Sequence, residues 1–249
     1  MNNEEFYVGY LPKMPRSVTR VVRIVVIVIL AVAAALVGAF WIGQKPFANS
    51  FFEFGNVRQF EGTIQAGAVP FLLVEKEEKN NGIPTFERFP LVAEGKHGAD
   101  VEIYDGRRVT LDGTLIYRDD MRMIEVADGS VKTVALAPAE IETPVSLGQF
   151  KLRGEIVDSK CYLGVMNPGQ SKPHRDCAVA CLRGGIPPLF IVRDESGNLS
   201  ELWLVSTDGK AINKQILDYV AEPIEITGEV TRLGDQLFFK IDPGAIKRL

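Results

Sequence analysis

Residues 108–126 read RVTLDGTLIYRDDMRMIEV and residues 223–241 read PIEITGEVTRLGDQLFFKI. Each is a pair of apolar-alternating runs separated by a polar, turn-forming break, the pattern of a half-buried β-hairpin. The likeness extends upstream. VPFLLVE (residues 69–75) corresponds to PPLFIVRD (187–194), and QFEGTI (59–64) to FKLRGEI (150–156). Three landmarks align: Gly62 with Gly154, Pro70 with Pro188, and Gly113 with Gly228. From the proline to the second glycine the two copies span 43 and 40 residues. From the first glycine to the proline they span 8 and 34. One insertion therefore accounts for nearly all the difference in length. The sequence predicts a mainly β protein with two tandem OB-like β-barrels, the second carrying the insertion. A glycine in the first strand of each suits a strand that bends to serve both sides of a barrel.

The expected organisation is a cytoplasmic tail over 1–20, a transmembrane anchor over 21–44, and a first OB-like domain over 54–140. A second domain follows over 148–249, with its insertion at 158–187. An amphipathic helix is expected over residues 210–221, where Ile212, Ile216, Leu217 and Val220 share a face. Glu75 to Asn81, EKEEKNN, reads as a solvated loop.

From Ile24 to Ile42 nineteen residues pass without a charge, long enough at about 1.5 Å per residue to cross most of a ~30 Å hydrocarbon core. Trp41 stands at its distal end, where an amphipathic ring favours the interface. The run exceeds an ordinary signal-peptide core and no small-x-small site follows, so an uncleaved anchor is expected. Arg16, Arg20 and Arg23 precede it and only Lys45 follows closely. That distribution puts the N-terminus in the cytoplasm and, in a bacterial cell, residues 46–249 in the periplasm. The leading segment also holds Phe6, Tyr7 and Tyr10, which suit a partner membrane protein or the lipid surface.

The chain's net charge is −4. Five cations and two acids in residues 1–45 contribute +3, leaving −7 on the remainder, which offers no basic stripe to a nucleic acid. No phosphate-binding loop, nucleophile elbow, HExxH or dinucleotide fingerprint is present, so catalysis is not the expected role.

All three cysteines, Cys161, Cys177 and Cys181, lie in the insertion with His174, one of two histidines. SKPHRDCAVACLRGG (171–185) reads as a short helix, capped at Ser171 and ended by Gly184 and Gly185. On it His174, Cys177 and Cys181 fall at i, i+3 and i+7, one face. Cys161 closes the preceding strand and faces that stripe if the loop folds back. Three thiolates and an imidazole match tetrahedral zinc, and soft sulfur donors equally suit copper, with Met166 as a further donor. Asp158 and Asp176 are placed to orient His174, and Lys160 and Arg175 to lower a thiol pKa. The other readings are a disulfide from Cys161 to Cys177 or Cys181 with one thiol left over, and three inert cysteines that lie close together. The only other histidine, His97 in EGKHGAD, reads as solvated surface, so any chemistry is expected in the second barrel alone.

The pattern Asp-x-x-Cys, His-x₂-Cys-x₃-Cys, Gly-Gly-Ile-Pro, then a strand such as PIEITGEV, is similar to that of a family of uncharacterised bacterial exported or membrane-anchored proteins. The resemblance covers residues 150–249. It implies an OB-like domain and a shared use of Cys161, His174, Cys177 and Cys181, without an established activity. The function expected is a membrane-anchored accessory protein with a Cys/His metal site, a subunit or metal-handling partner of a membrane redox system. The alternatives are a thiol–disulfide redox protein and a disulfide-stapled protein-binding module.

Overall fold

The computed structural model describes residues 15–43, 49–80, 83–136, 142–194 and 196–249. Phe6, Tyr7 and Tyr10 lie outside them. The chain divides into two compact units, residues 1–46 and 47–249.

The first unit is one helix, α1 (Arg16–Gly43). Its stretch Val18–Gly43 has a mean hydropathy of 2.9, is wholly unburied, and is long and apolar enough to cross a membrane. At about 1.5 Å per residue these 26 residues reach about 39 Å.

The second unit holds both barrels. The first is built from β2 (Arg58–Gln65), β3 (Phe71–Asn80), β4 (Ile83–Ala93), β5 (Arg107–Arg118) and β6 (Met121–Val126). β2 pairs with β3, β3 with β4, β4 in parallel with β6, β6 with β5, and β5 with β2, which closes the ring. Two short strands, β1 (Ser50–Phe52) and β7 (Lys132–Leu136), add to β5. The second barrel uses β8 (Val145–Asp158), β9 (Pro188–Arg193), β10 (Leu199–Ser206), β11 (Ile224–Leu233) and β12 (Gln236–Ile241). Its pairings repeat the first set, including the parallel pair β10–β12, and β13 (Lys247–Arg248) adds to β11. Both are closed five-strand barrels of the same OB-like order.

The repeated glycines explain how one strand serves two neighbours. Gly154 pairs with Ile224 of β11 and with Val192 of β9, at the residue where β8 changes partner. Gly62 stands one residue before the corresponding change in β2, which falls at Thr63, from β5 to β3. An added Cβ would run into the Leu73 carbonyl oxygen at Gly62 and the Ile191 carbonyl oxygen at Gly154. These positions need glycine for close backbone approach.

Each barrel has its own interior. Ile64, Leu72, Leu91, Val109, Leu111 and Ile124 fill the first, and Ile156, Phe190, Leu204, Ile226 and Phe239 the second. A third apolar cluster joins them. Phe71, Leu73, Ile116 and Met123 of the first barrel meet Val157, Tyr162, Leu163, Leu189 and Trp203. Trp203 meets Phe71 edge-on at 6.1 Å and donates its indole N–H to Gln236 at 2.8 Å. The barrels thus share a core, which is why residues 47–249 form one unit.

Two expectations need correction. Residues 75–80 continue β3 instead of forming a loop, paired with β4 as far as Asn80. Residues 210–221 form no α-helix but two 3₁₀ turns, Asn213–Gln215 and Leu217–Tyr219. The expected apolar face survives, with Ile212, Ile216 and Val220 buried and Leu217 packed beside them. Tertiary bonds displace the helical ones: Asn213 donates its side-chain amide to the Leu182 and Ile186 carbonyls, and Ala221 N–H to Ile156 O. Pro223 then bars continuation.

Candidate metal centre

The insertion starts where β8 ends. Asp158, the last residue of β8, is fully buried. Its Oδ1 accepts the Cys161 N–H at 2.9 Å, which turns the chain sharply into the π-helical turn Cys161–Val165. Beyond it come a 3₁₀ turn, Lys172–His174, and α2 (Arg175–Arg183). Ser171 does not cap this helix: it has a positive φ of 67° and its N–H donates to the Glu155 carboxylate. The C-terminus follows expectation. Gly184 and Gly185 donate to the Ala180 and Leu182 carbonyls, and Gly185, at φ +94°, adopts a backbone that favours glycine.

This path carries the stripe of α2 back onto the end of β8. Cys161 Sγ lies 4.0 Å from Cys177 Sγ and 4.0 Å from Cys181 Sγ, and the three sulfurs are within 4.8 Å of one another. All three cysteines are free, with Cys161 and Cys181 buried and Cys177 half-buried. Ligand sulfurs around a tetrahedral zinc, at Zn–S distances near 2.3 Å, are about 3.8 Å apart. The thiol cluster is therefore already at ligand spacing and could hold a metal ion.

His174 falls in a second, overlapping set with Asp158 and Cys161, not with Cys177 and Cys181. Its Nε2 is 2.9 Å from Asp158 Oδ2, in a pair shielded from solvent on every side. Asp158 consequently holds both the Cys161 backbone and the His174 ring. Asp176 is exposed in the first turn of α2, where a carboxylate favours the helix N-terminus. Met166 is exposed, just past the π-helical turn.

The two cations expected near the thiols are engaged elsewhere. Arg175 donates to the Glu222 carboxylate at 2.8 Å and to Asp218 O. Lys160 is buried against the first barrel, where its ammonium donates to Ala93 O at 2.9 Å and Gly95 O at 2.6 Å and pairs with Glu125. The cation that does reach a thiol is Lys96, whose Nζ lies 3.2 Å from Cys177 Sγ. Nothing in the spacing around the cysteines pointed to Lys96, which stands 81 residues away in the other barrel. The only signal was its place in a polar turn, EGKHGAD, that follows an apolar strand.

The electrostatics differ from thiol to thiol. The Cys161 thiol is pushed well above its ordinary range, first by its hydrogen bond with Cys181, then by burial and by the Asp158 charge. Cys181 is held below that range, chiefly by its hydrogen bond with Cys161, with Lys96 and Cys177 helping against burial and Asp158. The hydrogen bond to Cys177 raises the Lys96 ammonium above its usual value. The surroundings thus favour negative charge, the form in which cysteine ligates a metal, on Cys181 and oppose it on Cys161. No family model, curated protein or solved structure matches the chain.

Proposed function

We propose that this is a membrane-anchored protein whose cysteine insertion binds one soft metal ion, zinc or copper, through Cys161, Cys177 and Cys181. His174, steadied by Asp158 as ligating histidines are by carboxylates, is the neighbouring nitrogen donor. Its role is that of an accessory subunit or metal-handling partner of a membrane redox system. The anchor is α1, with Arg16, Arg20 and Arg23 on the cytoplasmic side and the barrels in the periplasm of a bacterial cell. The observation that carries the reading is the convergence of three free sulfurs, two of them 4.0 Å from Cys161 Sγ and all within 4.8 Å of one another.

The lowered thiol at Cys181 also favours a second reading, a thiol–disulfide redox protein. An attacking thiolate must be reachable, however, and Cys181 is only 1% exposed. Metal binding is the better account of a buried thiol held below its usual range beside two other sulfurs.

The test is elemental analysis of the full chain, purified in detergent without chelator. About one zinc or copper per chain is expected, and it should be absent from Cys177→Ser. Equal metal content in the two proteins, or none in either, would remove the proposal.

A further inference from the structure

The cysteine site is bounded by the first barrel as well as the second. The chain leaving β4, residues 93–98, lies against α2 and the end of β8. Lys160 of the second barrel grips it by two carbonyls, those of Ala93 and Gly95. Gly98 N–H donates to Gly184 O at 3.0 Å, and an added Cβ on Gly98 or Gly184 would meet backbone of the facing segment. Between these fastenings stands Lys96, with its ammonium on Cys177 Sγ, the one sulfur that is not buried.

The geometry points to a site shared by the two barrels, in which Lys96 donates a hydrogen bond to the metal-bound thiolate of Cys177 and Lys160 positions the segment that carries it. This rests on the metal-binding reading above and extends it to a residue of the other barrel. Two lines of physical chemistry support it. Three thiolates around a divalent ion carry a net −1, which a neighbouring ammonium neutralises at a partly desolvated place. A donor on a ligating sulfur withdraws electron density from it, so the metal–sulfur bond and the sulfur's nucleophilicity both change. Lys96 also stands against Cys177, the least buried of the three thiols. Lys160, with three acceptors and almost no exposure, has no role open to it in solvent, and two of its partners, Ala93 and Gly95, lie just ahead of Lys96 in the same turn, the third being Glu125 of β6.

The experiment uses the full chain in detergent, loaded with Co²⁺ as a spectroscopic probe, for wild type, Lys96→Met, Lys96→Arg and Lys160→Met. Lys96 is exposed, so its variants should fold. In Lys96→Met the sulfur-to-cobalt charge-transfer band should move to lower energy. Alkylation of Cys177 in the loaded protein should accelerate about tenfold, and cobalt release to a chelator by about 10–100-fold. Lys96→Arg, which keeps a donor, should retain most of the wild-type band, alkylation rate and release rate. Lys160→Met should shift the band in the same direction and expose the Gly98 amide to hydrogen exchange. If Lys96→Met binds cobalt with the wild-type band, alkylation rate and release rate, the inference is overturned. If wild type binds no cobalt, the metal reading itself falls. A wild-type band that moves on His174→Ala but not on Lys96→Met would give the tuning role to His174 instead.

Discussion

The two barrels run the same course with different consequences at one turn. After β4 the chain turns back with Ala93 N–H on His97 O; after β10 the equivalent turn closes with Ser206 N–H on Lys210 O. In the second barrel that turn satisfies itself: Ser206 accepts from Lys210 N–H, and the Lys210 ammonium pairs with Asp208 at 2.6 Å, all in solvent. In the first barrel the turn is held from outside, by Lys160, and presents Lys96 to a sulfur of the other barrel. The same backbone device is thus a surface turn in one copy and a wall of the cysteine site in the other. What separates them is the insertion between β8 and β9, because only that segment supplies something to pack against. A repeated scaffold tolerates a long connection at one end of its first strand, and the connection decides which surfaces of the other copy become buried.

The comparison can be broken most severely at the shared core. Trp203→Ala should cost about 3–5 kcal/mol, since the ring is fully buried against Phe71 of the other barrel. Denaturant unfolding of the full chain should then lose its single cooperative transition as the barrels separate. A loss as large with the transition still single would mean that the barrels stay joined without it.

Asp158→Ala should follow closely, at about 3–5 kcal/mol, because it strands a buried imidazole and the Cys161 amide together. The first barrel has no counterpart, so hydrogen exchange should rise through the insertion and leave the β2–β5 ladder protected.

Gly62→Ala and Gly154→Ala test the repeat itself. Each forces a methyl group onto a carbonyl oxygen of the neighbouring strand, so each should destabilise by about 1–3 kcal/mol through overpacking. Thermal denaturation that separates them widely would show that the two bends are not equivalent.

The smallest effect belongs to the self-contained turn. The Lys210 and Ser206 hydrogen bonds hold the Asp208 carboxyl down to about 2. A depressed carboxylate contributes stability that is full above its unfolded value near 3.9 and is lost as pH falls toward 2. Asp208→Asn should therefore flatten the acid limb of the stability curve slightly between about pH 4 and 2 and change nothing at pH 7. Cobalt release should be untouched, in contrast to Lys96→Met.

Much of the fold was legible in the chain because its signals are local and repeat. Alternation in residues 108–126 and 223–241 became β5–β6 and β11–β12, and the glycines at 62 and 154 marked the strand bends. The α2 segment could be read from its helix-compatible run and terminal glycines. The turns over 213–219 could not: their amphipathic period is helical, but Asn213 and Ala221 bond to other elements, and a window of sequence does not show those bonds. The pair Cys177 and Cys181 was equally legible, four residues apart on one helix face, whereas His174, read as the first member of that stripe, lies in the 3₁₀ turn ahead of α2 and bonds Asp158 instead.

Short-range periodicity and spacing were enough to set the local features of this chain. These include an apolar helix at the N-terminus, two barrels of one pattern, and three cysteines with a histidine in one inserted loop. Tertiary structure alone decided which groups meet across chain distance. It put His174 on Asp158, took Lys160 away from the thiols, and brought Lys96 across 81 residues to Cys177. The physical reason is that a charged side chain chooses its partner by proximity after the cores have closed. That choice depends on the packing of two barrels against an insertion, which no local pattern encodes.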